Sequence, residues 1–295
     1  MKCARIHKFG PPDVIVIDDI PTAVPAAGQV IVEVAAAGVG PWDALVRTGA
    51  YRVSAPLPTV LGGEVSGTVN GEAVYGATNK ELYGGYAQMA IASTATLARK
   101  PRTLSHTEAA SAPIVAVTAL QMLEYAKASA GQTVLVHGGG GNVGLYAVQL
   151  ARLAGLEVFV TASDADIPYV KSLGAAHVID YRATRFEDAV PPLDFVFDTV
   201  GGDTVERSYR VLKPGGMLVS VVTPFPKTGQ HPGIREAFFI VDMTTGRLET
   251  LADLFNNGSL TTRVGSILPL DDARTAHEML AGRPHAPGKI VLTVR

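Results

Sequence analysis

The sequence predicts an α/β protein in which a doubly wound parallel sheet is joined to a β-rich unit. Three features support this prediction. Short apolar strands alternate with helical segments between residues 113 and 261. Residues 1–112 contain alternating strands, prolines and turn dipeptides. The glycine run "HGGGGNVG" (137–144) follows the first strand of the alternating region and precedes its first helix.

The composition is that of a globular protein with about two domains, at roughly 150 residues per domain. Of its 295 residues, 47% are hydrophobic and 18% are charged, which allows a sizeable core. The net charge of −2 lacks the basic excess of a nucleic-acid binder, and the single cysteine excludes an intrachain disulfide. No apolar run reaches the roughly 18 residues of a membrane span, and no apolar signal segment follows Lys2 and Arg5. We therefore expect a cytoplasmic protein that binds neither membranes nor nucleic acid.

The first 112 residues predict a β-rich domain. The stretch "VIVEVA" (30–35) alternates as a half-buried strand does. Residues 65–69 and 73–75 predict two further strands, joined by Asn70-Gly71. This dipeptide favours a type I′ turn, because both of its positions require a positive φ.

The alternating region predicts a parallel sheet covered by helices on both faces. Its strands are predicted at 133–136, 157–162, 178–180, 194–200 and 217–222, and its helices at 145–153, 168–173, 205–212 and 248–256. The chain ends in "KIVLTV" (289–294), a predicted strand that returns to the β-rich domain. We therefore assign residues 1–112 and 262–295 to one domain and residues 113–261 to the other.

The glycine run has the form of a phosphate-binding turn. Gly139, Gly141 and Gly144 have the spacing G-x-G-x-x-G in a strand–turn–helix context. Glycines allow a tight turn and close approach of a pyrophosphate, and the helix N-terminus presents free N–H groups and a positive dipole end. The motif predicts a dinucleotide site that also includes Gly138, Asn142 and Val143. A plain flexible loop is the alternative.

The residue that follows the second predicted strand favours NADPH over NADH as the cofactor. An acidic residue about 20 positions after the motif would bond the ribose hydroxyl of NADH. That position is Ser163, which can donate to a 2′-phosphate without repelling it. Asp164 and Asp166 follow, with no arginine or lysine beside them, although a 2′-phosphate is normally paired with a cation. NADPH is the predicted cofactor, and NADH is the alternative.

Several segments together are typical of one protein family. They are "GVGPWDALVRTGAY" (38–51), "AASAPIVAVTALQML" (109–123), "TVLVHGGGGNVGLYAVQLARLAG" (133–155), "VKSLGAAHVIDY" (170–181), "DFVFDTVGGDT" (194–204), "LKPGGMLVSV" (212–221) and "GKIVL" (288–292). In these segments the chain resembles the zinc-free quinone oxidoreductase branch, zeta-crystallin-like and alkenal-reductase-like, of the medium-chain dehydrogenase/reductase family. The resemblance implies a GroES-like β-rich domain formed by both chain ends, a Rossmann domain between them, and a homodimer.

The resemblance also implies where the cofactor lies. The nicotinamide would occupy the cleft between the domains, beside Thr118, and the 2′-phosphate would meet Ser163 and Tyr181. Relatives often have alanine where this chain has Gly140, so Gly140→Ala should leave NADPH affinity nearly unchanged. Further cofactor contacts are implied for Val200, Val221, Val222, Thr223 and Lys289, with Gly288 beside Lys289 at the cleft rim.

The positions of the zinc ligands of related enzymes hold glycines in this chain. A cysteine ligand would be expected at Gly40 and a histidine ligand at Gly63. A catalytic zinc needs three protein ligands, and a four-cysteine structural site is impossible with one cysteine. We therefore expect no zinc. The branch usually has asparagine at the position of Gly40, so this chain lacks an amide that would reach cofactor or substrate.

The substrate pocket is expected around Gly40, Trp42, Asp43 and Tyr51. Tyr51 is the candidate catalytic residue, because its hydroxyl could hydrogen-bond the substrate or pass a proton. A half-buried aromatic with a solvated tip is the alternative for Tyr51, and a turn-stabilising role is the alternative for Asp43.

The predicted activity is NADPH-dependent, zinc-independent hydride transfer to a quinone or to the β-carbon of an α,β-unsaturated carbonyl. Both substrates accept hydride without a metal, because they delocalise the charge onto oxygen. Two alternatives stay open: a non-catalytic NADPH-binding sensor or structural protein, and a dedicated biosynthetic enoyl reductase.

Overall fold

The computed structural model describes residues 1–51, 55–222, 224–225 and 231–294. The chain divides into two compact units. The first contains Met1–Val117 and Asp242–Arg295, and the second contains Thr118–Val241.

Strands and helices are numbered in chain order. The strands are β1 (Lys2–Ile6), β2 (Ile15–Asp19), β3 (Gln29–Val39), β4 (Thr59–Val60), β5 (Glu64–Val69), β6 (Glu72–Ala77), β7 (Met89–Ser93), β8 (Leu97–Arg99), β9 (Thr133–His137), β10 (Glu157–Ala162), β11 (His177–Asp180), β12 (Leu193–Asp198), β13 (Leu212–Ser220), β14 (Arg235–Phe238), β15 (Val264–Pro269) and β16 (Lys289–Thr293). The α-helices are α1 (Pro41–Thr48), α2 (His106–Ala110), α3 (Pro113–Ala126), α4 (Gly144–Leu153), α5 (Ile167–Ser172), α6 (Asp203–Ser208), α7 (Thr245–Asn256) and α8 (Ala273–Leu280). Every α-helix in the described ranges is too short or too polar to cross a bilayer.

The first unit is built on mostly antiparallel β-structure, in which β15 and β16 pair in parallel. A seven-stranded sheet has the order β15-β16-β3-β5-β6-β8, with β7 paired to β3, and a three-stranded sheet has the order β2-β1-β4. The predicted hairpin is confirmed: β5 and β6 are joined by Asn70 and Gly71, whose φ angles are 50° and 83°. Apolar side chains such as Val32, Val65 and Leu292 are fully buried in the core of this unit.

The last strand returns to the first unit, as the sequence predicts. Strand β16 pairs antiparallel with β3, with Val291 opposite Gly38. The boundaries between the compact units follow Val117 and Val241, whereas the sequence predicted boundaries after residues 112 and 261. Helix α7 belongs to the first unit, because the Tyr75 hydroxyl donates to the Leu248 carbonyl (2.5 Å) and the Thr245 hydroxyl to the Leu97 carbonyl (2.9 Å).

The second unit contains a six-stranded parallel sheet. Its order is β11-β10-β9-β12-β13-β14, so the chain starts at the centre, winds to one edge and then winds to the other. This is the order of a Rossmann dinucleotide-binding domain, in which the ligand lies where the winding direction reverses, at the carboxyl ends of the central strands. The α/β prediction is confirmed. Strand β14 was not predicted, because "REAF" has no apolar run and its pairing with β13 is made by the backbone.

Candidate functional site

The glycine turn connects the central strand β9 to helix α4. Gly138 has a φ of 75°, which side chains rarely tolerate, and helix α4 begins at Gly144. A Cβ on Gly144 would lie 2.1 Å from the Gly138 carbonyl oxygen, and a Cβ on Gly139 would lie 2.1 Å from Cγ1 of Val160. The turn therefore requires glycine at both positions.

The backbone N–H groups at the start of this turn are hydrogen-bonded within the protein, whereas those at its end are available to a ligand. The N–H groups of Gly138 and Gly139 both donate to the Thr161 carbonyl (3.1 and 3.0 Å), and that of Gly141 donates to the Gly138 carbonyl (2.9 Å). Within the described ranges, the N–H groups of Asn142 and Val143 donate to no backbone oxygen. These groups, at the positive end of α4, are a suitable donor set for a pyrophosphate, so the turn fits a dinucleotide.

A carboxylate lies against the middle of the turn. The hydroxyl of Ser163 donates to Oδ2 of Asp166 (2.9 Å), and a Cβ on Gly140 would lie only 2.7 Å from Cγ of Asp166. Any side chain at position 140 must therefore displace Asp166. The sequence motif could not reveal this contact, because it depends on how the segment after β10 folds back.

A cation lies beside Tyr181, one of the two predicted 2′-phosphate residues. Strand β11 runs parallel to β10, with Asp180 opposite Ala162, so Tyr181 follows β11 as Ser163 follows β10. Tyr181 is 55% exposed, and the guanidinium carbon of Arg182 lies 5.5 Å from the centroid of its ring. Arg182 was not predicted from the sequence, because the residue that selects between NADPH and NADH is expected after the second strand and Arg182 follows the third.

The other predicted cofactor residues of the second unit differ in exposure. Val200 is 51% exposed, and its Cγ2 would lie 2.9 Å from a Cβ on Gly138, so it is adjacent to the turn. Val222 is 48% exposed, and the N–H of Val221 donates to the Asp198 carbonyl (3.2 Å). Thr118 is 7% exposed. Thr223 lies outside the described residues.

In the first unit, Asp43 bonds to both Gly40 and Gly63, the positions at which the family resemblance places the zinc ligands of related enzymes. Its Oδ2 accepts a hydrogen bond from the N–H of Gly40 (2.8 Å), and its Oδ1 accepts one from the N–H of Gly63 (3.1 Å). The Tyr86 hydroxyl also donates to Oδ2 (3.1 Å). Asp43 is the third residue of α1, and its carboxylate caps the start of that helix. This contact agrees with the local structural role that the sequence left open for Asp43.

The Asp43 carboxyl group is fully buried, with 0% of the residue exposed. Burial raises its pKa from 3.8 to about 7, although the N–H of Gly40 and the charge of Lys289 act in the opposite direction. The same environment raises the pKa of the Tyr86 phenol, by burial first and by Asp43 second.

The ring of Trp42 fills the space beside Gly40. A Cβ on Gly40 would lie 2.3 Å from Cζ2 of Trp42, so no side chain fits at position 40 while the indole stays in place. This contact gives a physical reason for the departure from the asparagine that relatives usually have there.

Lys289, a predicted cofactor residue, is buried in the first unit. Its Nζ lies 2.5 Å from Oε1 of Glu64 and 4.1 Å from the centroid of the Trp42 ring. Glu64 was not singled out from the sequence. The sequence places Glu64 directly after Gly63, but its pairing with Lys289 depends on how strands β5 and β16 are brought together in the fold.

Tyr51 packs against the hydrophobic core of the first unit. The residue is partly buried, and its hydroxyl oxygen is buried, which differs from the solvated tip of the alternative interpretation. Its role in catalysis stays a prediction. In the described part of the chain, no three His, Cys, Asp or Glu side chains are grouped closely enough to hold a metal ion.

Known protein families match both units. Residues 26–79 match the alcohol dehydrogenase GroES-like domain, and residues 173–292 match the model described as zinc-binding dehydrogenase. The chain is 33% identical to the 2-methylene-furan-3-one reductase of Solanum lycopersicum, over 88% of this chain and 70% of the relative. It is 31% identical to the NADPH-dependent alkenal/one oxidoreductase of Arabidopsis thaliana, over 90% and 72% of the two chains.

A solved structure agrees with these matches. The quinone oxidoreductase of Coxiella burnetii superposes with a TM-score of 0.91 at 34% identity, covering 100% of this chain and 99% of that one. The strand order, the glycine turn and the matches to both domains lead to one conclusion. The chain belongs to the medium-chain dehydrogenase/reductase family, and quinone oxidoreductases and enone reductases are among its relatives.

Proposed function

We propose that the protein is an NADPH-dependent, zinc-independent oxidoreductase that reduces quinones or the activated double bond of enones. The observation that carries the proposal is the glycine turn, whose two crowded glycines and free N–H groups suit a dinucleotide phosphate. The names of the relatives support the reaction class, since they act on quinones and on alkenals or enones.

The turn would hold the pyrophosphate through the N–H groups of Asn142 and Val143. Arg182, against the ring of Tyr181, supports NADPH as the cofactor, because a guanidinium pairs well with a 2′-phosphate. Ser163 supports it less, because its hydroxyl donates to Asp166. The nicotinamide cofactor supplies the hydride when it is bound.

The residues at the positions of the relatives' zinc ligands support catalysis without zinc. Gly40 and Gly63 have no side chain that could ligate a metal, and their N–H groups are bonded to Asp43. Quinones and enones need no Lewis acid, because hydride addition places the charge on an oxygen within the conjugated system. Tyr51 is the proposed donor that stabilises this oxygen, and because its hydroxyl oxygen is buried, this role requires the bound substrate to reach a site closed to solvent. The family resemblance supports a homodimer, and the single cysteine of the sequence is compatible with the reducing cytoplasm as its location.

The test follows the oxidation of NADPH and of NADH by absorbance with a panel of quinones and enones. We expect turnover with NADPH, unchanged by a metal chelator or by added zinc. Arg182→Ala should raise KM for NADPH by about tenfold, the size of one charge-assisted contact, and leave KM for NADH unchanged. NADPH binding without turnover on any substrate would contradict the proposed reaction, and chelator inhibition would contradict zinc independence.

A further inference from the structure

His137, directly before the glycine turn, joins β10 to helix α6 through both of its ring nitrogens. It is 1% exposed. Its Nδ1 lies 3.1 Å from the hydroxyl oxygen of Thr161, and its Nε2 lies 3.0 Å from the hydroxyl oxygen of Ser208. The proposed function gives His137 no role, although it is the residue from which the turn begins.

The hydrogen bonds of Ser208 determine which ring nitrogen of His137 carries the hydrogen. The single hydroxyl hydrogen of Ser208 is donated to the Thr204 carbonyl (2.6 Å), so the Ser208 oxygen accepts a hydrogen bond from Nε2–H of His137. In the neutral imidazole, Nδ1 is then the acceptor. The hydroxyl of Thr161 therefore donates to Nδ1.

Thr161, which is bonded to His137, also hydrogen-bonds to the first two residues of the turn. Its carbonyl accepts the N–H groups of Gly138 (3.1 Å) and Gly139 (3.0 Å). Its hydroxyl oxygen, with the hydrogen directed at His137, also accepts the N–H of Gly138 (3.2 Å). The hydroxyl of Thr199, from the other neighbouring strand segment, donates to the His137 carbonyl (2.7 Å). The first residues of the turn are thus anchored on both sides of β9.

Four consecutive glycines have unusual conformational freedom, and ordering them when a ligand binds would lower its affinity. We propose that His137, in the tautomer with hydrogen on Nε2, is a positioning residue that acts through Thr161 to hold the turn in its phosphate-binding shape before the dinucleotide arrives. This inference rests on the proposed NADPH binding and adds the residues that prepare the site.

The surroundings of His137 keep this tautomer neutral. Burial lowers its pKa to about 4; the charge of Asp198 opposes this shift, and Arg207 adds to it. The edge-to-face contact with Phe186, at a centroid distance of 4.6 Å, fixes the ring plane. The arrangement of donors and acceptors therefore persists through the neutral pH range.

The test compares Thr161→Val, which removes the hydroxyl and keeps the strand, with Thr161→Ser, which keeps the hydroxyl. NADPH dissociation constants are measured by fluorescence titration. We expect Thr161→Val to bind NADPH about tenfold more weakly, the size of one buried hydrogen bond, and Thr161→Ser to bind nearly as the wild type does. Combining Thr161→Val with His137→Leu should weaken binding no further than the weaker-binding single variant, because the two act through one chain of bonds.

Two measurements need no cofactor. Nitrogen NMR of the wild type should show His137 with a protonated Nε2 and an unprotonated Nδ1, and amide exchange at Gly138 should be faster in Thr161→Val than in Thr161→Ser. Equal NADPH affinity of the wild type and Thr161→Val, or hydrogen on Nδ1, would overturn the inference alone. A wild type that shows this NMR signature but binds no NADPH would instead contradict the proposed function.

Discussion

The ammonium of Lys289 lies 2.5 Å from the carboxylate of Glu64, and their side chains are only 2% and 0% exposed. The ammonium also faces the Trp42 ring, and the other Glu64 oxygen accepts the N–H of Ile114 (2.9 Å). Two opposite charges on strands β5 and β16, far apart in the sequence, thus neutralise each other inside the first unit.

Removing one partner of this pair should destabilise the protein strongly, because it leaves a buried charge without its counter-ion. We expect Lys289→Met to lower the free energy of unfolding by about 3–5 kcal/mol, measured by chemical denaturation. The double variant Lys289→Met/Glu64→Gln should recover part of this loss. Lys2, in an exposed ion pair with Asp271, is the matched control, and Lys2→Met should cost less than about 1 kcal/mol. Equal effects at the two lysines would contradict the prediction.

The buried carboxyl of Asp43 should make stability depend on pH. Its pKa is raised from 3.8 to about 7 in the folded protein, so the folded state holds the proton more tightly than the unfolded state. Its contribution to stability is complete below about pH 4 and is lost as the pH rises through about 7, with a size of roughly 4 kcal/mol.

Denaturation midpoints of the wild type and Asp43→Asn across this pH range provide the measurement. The wild type should lose more stability than the variant as the pH rises. His277, whose pKa burial and Arg47 lower to about 3, contributes in the opposite direction, but it is present in both proteins. The difference between their pH profiles therefore isolates Asp43, and parallel profiles would show that the prediction is wrong.

Gly40 and Trp42 should behave as a coupled pair. The φ of Gly40 is −144°, which any residue adopts, and the atoms nearest to a Cβ at this position all belong to the indole ring. Gly40→Asn should cost about 1–3 kcal/mol by overpacking, and the cost should be much smaller in a Trp42→Ala background. Trp42 is the only tryptophan, so intrinsic fluorescence reports its displacement directly. Unchanged fluorescence and stability in Gly40→Asn would contradict the predicted clash.

The glycines of the turn should differ in their tolerance of alanine. Gly144→Ala should weaken NADPH binding by at least about tenfold, because its Cβ would meet the Gly138 carbonyl. Gly141→Ala should be milder, since its nearest contact is 3.2 Å. Gly246→Ala, where a Cβ meets nothing within 4 Å, is the control for folding and affinity. Titration with NADPH gives the order, and a weaker effect at Gly144 than at Gly141 would refute the assigned turn.

For Gly140→Ala, the family resemblance and the structure predict different NADPH affinities. The family resemblance predicts nearly unchanged affinity. In the structure the new Cβ would lie 2.7 Å from Cγ of Asp166, so that side chain must move and its bond to Ser163 must weaken. We therefore expect a measurable change in NADPH affinity, and an unchanged value would support the sequence-based expectation.

The sequence by itself determined the class of ligand and the elements of the parallel sheet, with the exception of strand β14. Alternating apolar strands and helices predicted the parallel sheet, and Asn70-Gly71 predicted a hairpin turn that the positive φ angles confirm. These features are local, because backbone geometry and hydrophobic periodicity act over a few neighbouring residues. The spacing of Gly139, Gly141 and Gly144 predicted the turn for the same reason.

Only the tertiary structure decided which side chains meet. The pairing of Lys289 with Glu64, the contact of Asp166 with Gly140 and the position of Arg182 beside the exposed Tyr181 depend on strand order and loop paths. Such contacts join residues whose separation along the chain carries no periodic signal. The sequence could therefore predict the cofactor-binding turn, but the charges and hydrogen bonds around it could be identified only from the folded structure.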